Sequence, residues 1–300
     1  MGKILNLGSL NIDNVYSVDH FVTPGETLSS LKYEIFPGGK GLNQSISLSL
    51  AGGEVYHAGK IGKDGQWLIK VLKDRGVNTD LISISEGSTG HAIIQVNTKG
   101  QNCILLHKGT NAEITGEYLD SVLERFGKGD LLVLQNEVNM IGDIIDRAFA
   151  KGMEIAFNPS PMDNSIPKYH LEKITWFLLN EIEGNQITGE TDPKKITDRM
   201  LAMYPCARIV LTLGKQGVLY RDKNERYTHG IYDVPVVDTT AAGDTFTGFF
   251  LSCVANGDSI PEALRLASIA SSIAVSRNGA AISIPTMDEV KQSKIQPLTL

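Results

Sequence analysis

The chain has 300 residues, 42% of them hydrophobic, enough to bury the core of one large domain or of one domain with an appendage. Its net charge is −6 and no block of it is basic, which argues against nucleic acid and anionic membrane as partners. The three cysteines, Cys103, Cys206 and Cys253, are odd in number and far apart, the pattern of reduced thiols in a cytoplasm rather than of a disulfide framework.

Lys3–Leu7 predicts a buried strand ended by Gly8, and Met1–Leu10 lacks the charged and apolar regions of a signal peptide. Between Asn11 and Tyr33, alternation at Val15, Ser17, Asp19 and Phe21 predicts exposed strands, with Pro24-Gly25 as a turn. Gly41–Ala51 reads as a helix, Glu54–Ile61 as a strand, and Gln66–Arg75 as a helix closed by Gly76. His91–Val96 and Asn102–Leu106 alternate around Thr98-Lys99-Gly100-Gln101, a hairpin. Helices are then expected at Tyr118–Phe126, Gly142–Lys151 and Lys194–Tyr204. Strands are expected at Asp130–Gln135, Glu154–Asn158, Trp176–Leu179 and Ala207–Leu213. The apolar run Val234–Val237 leads through a loop into a helical segment, Phe246–Ala255, too short and too polar-flanked to span a bilayer.

Alternating helices and apolar strands predict an α/β fold: a mostly parallel sheet flanked by helices on both faces. The two early alternating stretches do not fit that layer and are expected to form a small antiparallel sheet projecting from it. Ligands of such folds bind beyond the carboxyl ends of the strands. Polar clusters fall there at Asn11–Asp13, Gln135–Glu137, Asn158–Ser160, Asn180–Glu183, Thr212–Gly217 and Asp238–Asp244, which together predict one polar cleft.

The densest cluster is Asp238-Thr239-Thr240-Ala241-Ala242-Gly243-Asp244-Thr245-Phe246. Small residues with free N–H groups at a helix start form an anion site, and Asp244 lies on its first turn. That pairing suits phosphoryl transfer, with amides holding the migrating group and the carboxylate taking a proton. An N-capped helix after a small-residue loop is the plainer reading.

This stretch resembles the second signature of the ribokinase-like (PfkB) carbohydrate kinases, and Pro37-Gly38-Gly39-Lys40-Gly41-Leu42-Asn43-Gln44 resembles their first. The match extends over nearly the whole chain, one kinase domain over 1–300 with lid strands within 11–36 and 90–108. The resemblance implies a three-layer sheet with a small β-sheet lid. It implies Asp244 as catalytic base and Gly243, Ala242 and Ala241 as the anion hole. Sugar contacts are implied at Asn11, Asp13, Gly39, Lys40, Asn43, Glu137 and Asp244, and nucleotide contacts at Asn180, Thr212, Gly214, Gly217, Gly243 and Ser268. Glu183, in Asn180-Glu181-Ile182-Glu183, is tied to Mg²⁺. A K⁺ site is implied from Asp238, Thr240, Val275, Asn278, Ala280 and Ser283.

Physical chemistry supports several of these roles. Carboxylates and amides such as Asp13, Asn11, Asn43 and Glu137 discriminate sugars, because a missing hydroxyl leaves a buried partner unpaired. Glycines before Lys40 allow close backbone approach, although a plain turn before a helix would look the same. Glu183 is a hard oxygen ligand for Mg²⁺ or a solvated helix start. Gly214–Gly217 wraps an adenine or makes a tight turn. No Walker A loop, Gly-x-Ser-x-Gly elbow or dinucleotide fingerprint occurs, and His20, His57, His91, His107, His170 and His229 show no metal-ligand spacing.

The resemblance therefore implies a cytoplasmic ATP-dependent sugar kinase, with the Gly-Gly-Lys-Gly-x-Asn-Gln form pointing to D-ribose and to D-ribose 5-phosphate as product. Kinases for another pentose, deoxyribose, a ketohexose or a nucleoside share the family. Lys108, Thr110-Asn111 and Asn136 depart from the form expected for ribose. A non-catalytic sugar sensor on the same fold is opposed by the intact Asp244. Exposed lid strands need cover, which suggests a homodimer through the lid.

Overall fold

Successive apolar residues of the central strands enter two different cores. Ile4, Leu131, Trp176 and Val210 pack in one, whereas Leu5, Leu132, Phe177 and Ile209 pack in the other. Side chains alternate across a strand, so continuous apolar runs such as Leu131–Leu134 fill both sides of a sheet. The computed structural model describes residues 2–298.

In chain order the strands are β1 (Ile4–Leu7), β2 (Asn11–Val18), β3 (Lys32–Gly38), β4 (Val55–Ile61), β5 (Asn78–Ile84), β6 (Gly90–Asn97) and β7 (Asn102–His107). They continue with β8 (Leu131–Gln135), β9 (Glu154–Asn158), β10 (Trp176–Asn180), β11 (Arg208–Thr212), β12 (Val218–Arg221) and β13 (Arg226–His229). The α-helices are α1 (Lys40–Leu50), α2 (Gln66–Lys73), α3 (Gly116–Leu123), α4 (Ile141–Ala150) and α5 (Glu181–Thr188). After them come α6 (Pro193–Met203), α7 (Ala242–Ala255), α8 (Ile260–Val275) and α9 (Met287–Gln292).

The main sheet has nine strands in the order β13-β12-β11-β10-β9-β8-β1-β4-β5. Its pairs are parallel except β11 with β12 and β12 with β13. Helices α1, α2, α7, α8 and α9 contribute to the first core, and α3, α4 and α6 to the second. Thus the expected α/β fold, a mostly parallel sheet between helical layers, is present. Among the described residues no helix is long and apolar enough to cross a membrane.

The second sheet has four strands in the order β3-β2-β6-β7. It is not wholly antiparallel, as expected from sequence, because its two hairpins join through a parallel β2–β6 pair. Both β2 and β6 follow main-sheet strands that run in the same direction, β1 and β5, so they leave the main sheet side by side and pair parallel. Strand β3 also runs on through Pro37 and Gly38, past the expected lid boundary.

Val234–Val237 forms no strand; it is irregular, with Val236 and Val237 exposed. The sequence pattern also predicts no element at β5, β12, β13, α5, α8 or α9. Helix α8 is built from small and apolar residues on nearly every side, so it lacks the one-sided stripe that marks a surface helix.

Helices α1 and α7 touch closely. A Cβ added at Gly248 would lie 2.3 Å from Ser47 Oγ. Ser47 Oγ donates to the Thr245 carbonyl at 2.8 Å, and Ser252 Oγ to the Leu48 carbonyl at 2.7 Å. This contact fixes the start of α1 against the start of α7, and the two sequence signatures meet there.

Candidate active site

Helix α7 opens without a side-chain cap. Its N-cap, Ala241, is left-handed with φ 60° and ψ 9°, a conformation that costs a residue with a Cβ about 1–2 kcal/mol. Such strain persists only where the surroundings impose it, and it clusters at functional sites. Ala242 donates its N–H to the Thr239 carbonyl at 3.3 Å and accepts from Ser271 Oγ at 3.0 Å. Gly243 is exposed, and an added Cβ there would meet nothing within 4 Å. The first-turn N–H groups have no intrahelical acceptor, so this end is electropositive and open.

Asp244 follows on that turn and is buried. Asn43 Nδ2 donates to its Oδ2 at 3.2 Å and Gln44 Nε2 to its Oδ1 at 2.9 Å. Lys40, one turn earlier on α1, feels the same carboxylate. The Asp244 charge holds its ammonium above the ordinary lysine value, against the opposing effect of burial, with Glu137 and Glu183 adding to the rise. Gly39 precedes it with φ 92°, and a Cβ there would sit 2.9 Å from Ser9 Oγ, so the tight entry into α1 requires glycine.

Glu137 anchors the start of α1 by accepting the Lys40 backbone N–H at 2.9 Å and the Ser9 hydroxyl. Burial raises its carboxyl above the ordinary range, partly offset by Lys40. Asp13, half-buried on β2, is pushed up to about 7 by burial first and by the Glu137 charge second. A Cβ added at Gly38 would lie 2.0 Å from Asp13 Oδ2, so that carboxyl rests on the glycine backbone.

One cavity of about 250 Å³ joins the anion cradle to the strand ends. Lys40, Asn180, Glu183, Thr212, Ala241, Ala242, Gly243 and Asp244 from the sequence-derived set line it. Asn158 and Ser160 complete its polar wall, at another of the expected strand-end clusters. Asn180 Oδ1 accepts the N–H groups of Ile182 and Glu183 at 2.9 Å each, and Glu183 Oε2 accepts the Asn180 N–H at 3.0 Å. This capping box holds a carboxylate at the cavity edge, a hard oxygen donor that fits a hydrated Mg²⁺. Gly214, Gly217 and Ser268 do not line this cavity. Gly214 and Gly217 form the turn between β11 and β12, with φ 52° and 89°.

Asp238 binds the loop after α8. Its Oδ1 accepts the Thr240 N–H at 2.8 Å and its Oδ2 the Gly279 N–H at 3.1 Å. The Val275 carbonyl accepts the N–H groups of Val237 and Asp238, and the Ala280 carbonyl accepts the N–H and hydroxyl of Ser283. The two segments that the sequence pairs around a cation thus lie together. One carboxylate among neutral oxygens fits a monovalent ion, but Val275 and Ala280 already use their carbonyls in hydrogen bonds.

Sequence reasoning missed the residues behind this wall. Asn111 Nδ2 donates to Asn11 Oδ1 at 2.7 Å and its Oδ1 accepts the Leu10 N–H at 3.0 Å, so it orients Asn11. Asn136 turns the other way, donating to the Pro161 carbonyl at 2.8 Å. Ser9, Gln44 and Gln135 support Glu137 and Asp244 from positions the cavity does not expose. Gln44 lay in the first signature, Gln135 in a strand-end cluster, and Asn111 and Asn136 among the departures from the ribose form, but none of them was given this supporting role from sequence.

The profile of the pfkB family carbohydrate kinases matches residues 1–287. A ribokinase of Staphylococcus aureus (strain COL) is 34% identical over 302 aligned residues, covering 97% of this chain and 99% of that one. The crystal structure of a ribokinase from Cryptococcus neoformans in complex with ADP superposes with a TM-score of 0.85 at 31% identity, covering 97% of this chain and 99% of that one. The structure of Arabidopsis thaliana ribokinase complexed with ribose and ATP gives 0.87 at 27% identity, covering 97% and 98%. With its α7 cradle, buried Asp244 and lidded parallel sheet, the chain belongs to the pfkB family of carbohydrate kinases.

Proposed function

We propose that this kinase transfers the γ-phosphoryl group of ATP to the 5-hydroxyl of D-ribose. The observation that carries the reading is Asp244, fixed by two amide donors on the first turn of a helix whose N-terminus opens into the cavity. The similarity to ribokinases with bound ribose and ATP supports the substrate pair.

Asp244 takes the proton of the attacking hydroxyl as that oxygen approaches the γ-phosphorus and the bond to the ADP oxygen breaks. The Ala241–Gly243 amides and Lys40 hold the equatorial oxygens, whose charge they match without reorganising. Glu183, a hard oxygen donor at the cavity edge, would hold Mg²⁺, which would supply further charge neutralisation. Asp13, Asn11, Asn43, Gly39 and Glu137 take the sugar hydroxyls. Asn43 Oδ1 is buried and has no hydrogen-bond partner among the described residues, an acceptor suited to one of them. Asn180, Thr212, the Gly214–Gly217 turn and Ser268 take the nucleotide. A K⁺ ion beside Asp238, Thr240, Asn278 and Ser283 would steady the loop before the cradle, with the Val275 and Ala280 carbonyls shaping that loop.

The same reading makes 1–300 one kinase domain with its lid and places it in the cytoplasm. Cys103 and Cys206 are exposed and unpaired, which suits a reducing compartment. The outer lid leaves Leu31, Tyr33, Ile35, Ile104 and Leu105 exposed, and a homodimer through the lid would cover them. A coupled ADP-release assay over a panel of sugars tests the substrate. D-ribose is expected to lead, with 2-deoxyribose lower in kcat/KM by about 10–10³-fold through the lost hydroxyl partner. A ketohexose or nucleoside faster than ribose by about tenfold would overturn the ribose assignment.

A further inference from the structure

Behind Asp244 runs a chain of side chains that the phosphoryl-transfer reading does not use. Gln44 Nε2 donates to Asp244 Oδ1 at 2.9 Å, and Gln44 Oε1 accepts from Gln135 Nε2 at 2.7 Å. Gln135 Nε2 also donates to Asn6 Oδ1 at 3.0 Å. Asn6 Nδ2 donates to Ser45 Oγ at 2.8 Å and to the Gly41 carbonyl at 2.7 Å. Ser45 Oγ then lies 2.7 Å from His57 Nδ1. Gln44, Gln135, Asn6, Ser45 and His57 are all fully buried, so water completes none of these bonds.

The chain has one direction. An ionised Asp244 only accepts, so Gln44 must present its NH₂ and its carbonyl must face Gln135. The same logic turns the NH₂ of Gln135 toward Gln44 and Asn6, and the NH₂ of Asn6 toward Ser45. Ser45, already accepting, satisfies its own hydroxyl proton only by donating to a neutral His57. Burial agrees, pushing His57 down to about 3. A flipped amide anywhere would set two donors or two acceptors face to face in a water-free core, at the cost of a buried unsatisfied group.

We propose that Gln44 and, through it, Gln135 are positioning residues that hold the Asp244 carboxylate aimed at the sugar hydroxyl, with Asn6, Ser45 and His57 fixing the polarity of the chain. This rests on Asp244 acting as the base. Both glutamines are fully buried, so their effect falls on turnover rather than on sugar contacts. Low local dielectric strengthens each bond, and a base that needs no reorientation reacts without the reorganisation that water would demand.

The experiment compares the wild-type chain with Gln44→Met, Gln135→Met and the double variant, measuring kcat with D-ribose and ATP and ribose affinity by calorimetry. Gln44→Met is expected to lower kcat by about 10–100-fold, toward the effect of losing one preorganised donor. Ribose Kd should change by less than about threefold. Gln135→Met is expected to lose about 3–10-fold in kcat, and the double variant to be no worse than Gln44→Met, because one acts through the other. A kcat within about twofold of wild type, additive losses, or equal losses in affinity and turnover would each overturn the proposal. If Gln44→Met fails to fold, Gln135→Met decides alone: unchanged kcat overturns it and lowered kcat at unchanged Kd supports it. No ADP release by the wild type with any sugar would retire the kinase mechanism and this proposal together, whereas active wild type with silent variants retires only the chain.

Discussion

Asn43 Nδ2 donates to Asp244 Oδ2 at 3.2 Å across the contact between α1 and α7, joining the two sequence signatures in one hydrogen bond. The contact is closed by Ser47 on Gly248 and by Ser252 on the Leu48 carbonyl, so neither helix can shift without moving the carboxylate. The placement of the Asp244 carboxylate is therefore a property of helix packing, not of a flexible loop.

Asp244→Asn keeps the size of the side chain and removes the proton acceptor. Turnover is expected to fall by at least about 10²-fold, since general base catalysis is worth 10²–10⁴, while ribose binding remains largely intact. Steady-state kinetics with calorimetric ribose titration checks this. Near-wild-type kcat would contradict the assignment of the base.

Much of this site was readable from sequence because its key residues come in two short runs. Lys40 with Asn43, and Ala241 to Asp244, are neighbours along the chain. The supporting shell was not readable. Gln135 meets Gln44 across 91 positions and Asn6 across 129, and nothing local in either segment announces the partner. The parallel β2–β6 pair is hidden for the same reason, whereas the alternation within each lid hairpin is local and was visible.

Gly243→Val separates chemistry from folding. An added Cβ meets nothing within 4 Å and the site is exposed, so the thermal midpoint should stay close to wild type. The branched side chain fills the mouth of the cradle, and kcat is expected to fall by about tenfold or more, the scale of a lost anion-hole donor. Parallel melting curves and ADP-release rates measure both. A large drop in midpoint with unchanged rate would place Gly243 in the fold rather than in the site.

Asp13 makes stability depend on pH. Its folded value, about 7, lies above the ordinary 3.8, so between those values the folded chain retains a proton that the unfolded chain has lost. Stability contributed by that proton is present below 3.8 and falls as pH rises through about 7. Asp13→Asn, which stays neutral, is therefore expected to melt higher than wild type at about pH 8 and to gain nothing below the ordinary Asp value. The same variant should bind ribose more weakly, because it loses a charged acceptor for a hydroxyl. An equal or lower midpoint at about pH 8 would show that burial does not disfavour the Asp13 charge.

The cation proposal predicts that K⁺ raises turnover by acting outside the chemistry. Rates are compared at fixed Mg²⁺ and ionic strength, with K⁺ replaced by Na⁺ or tetramethylammonium. K⁺ should give the highest kcat, and Asp238→Ala should flatten the difference, since Asp238 ties Thr240 to Gly279. Equal rates in all three salts would remove the ion from this account.

The most direct test of the central claim is ³¹P NMR of the product formed from D-ribose and ATP. Phosphate on the 5-oxygen couples to a pair of equivalent-carbon protons and appears as a triplet, alongside ADP, and the signal should be lost on the same timescale in Asp244→Asn. A doublet would place the phosphate on a carbon bearing a single proton, the anomeric or a secondary position, and not on the 5-oxygen. A singlet of inorganic phosphate, or ATP left unchanged, would contradict sugar phosphorylation by this site.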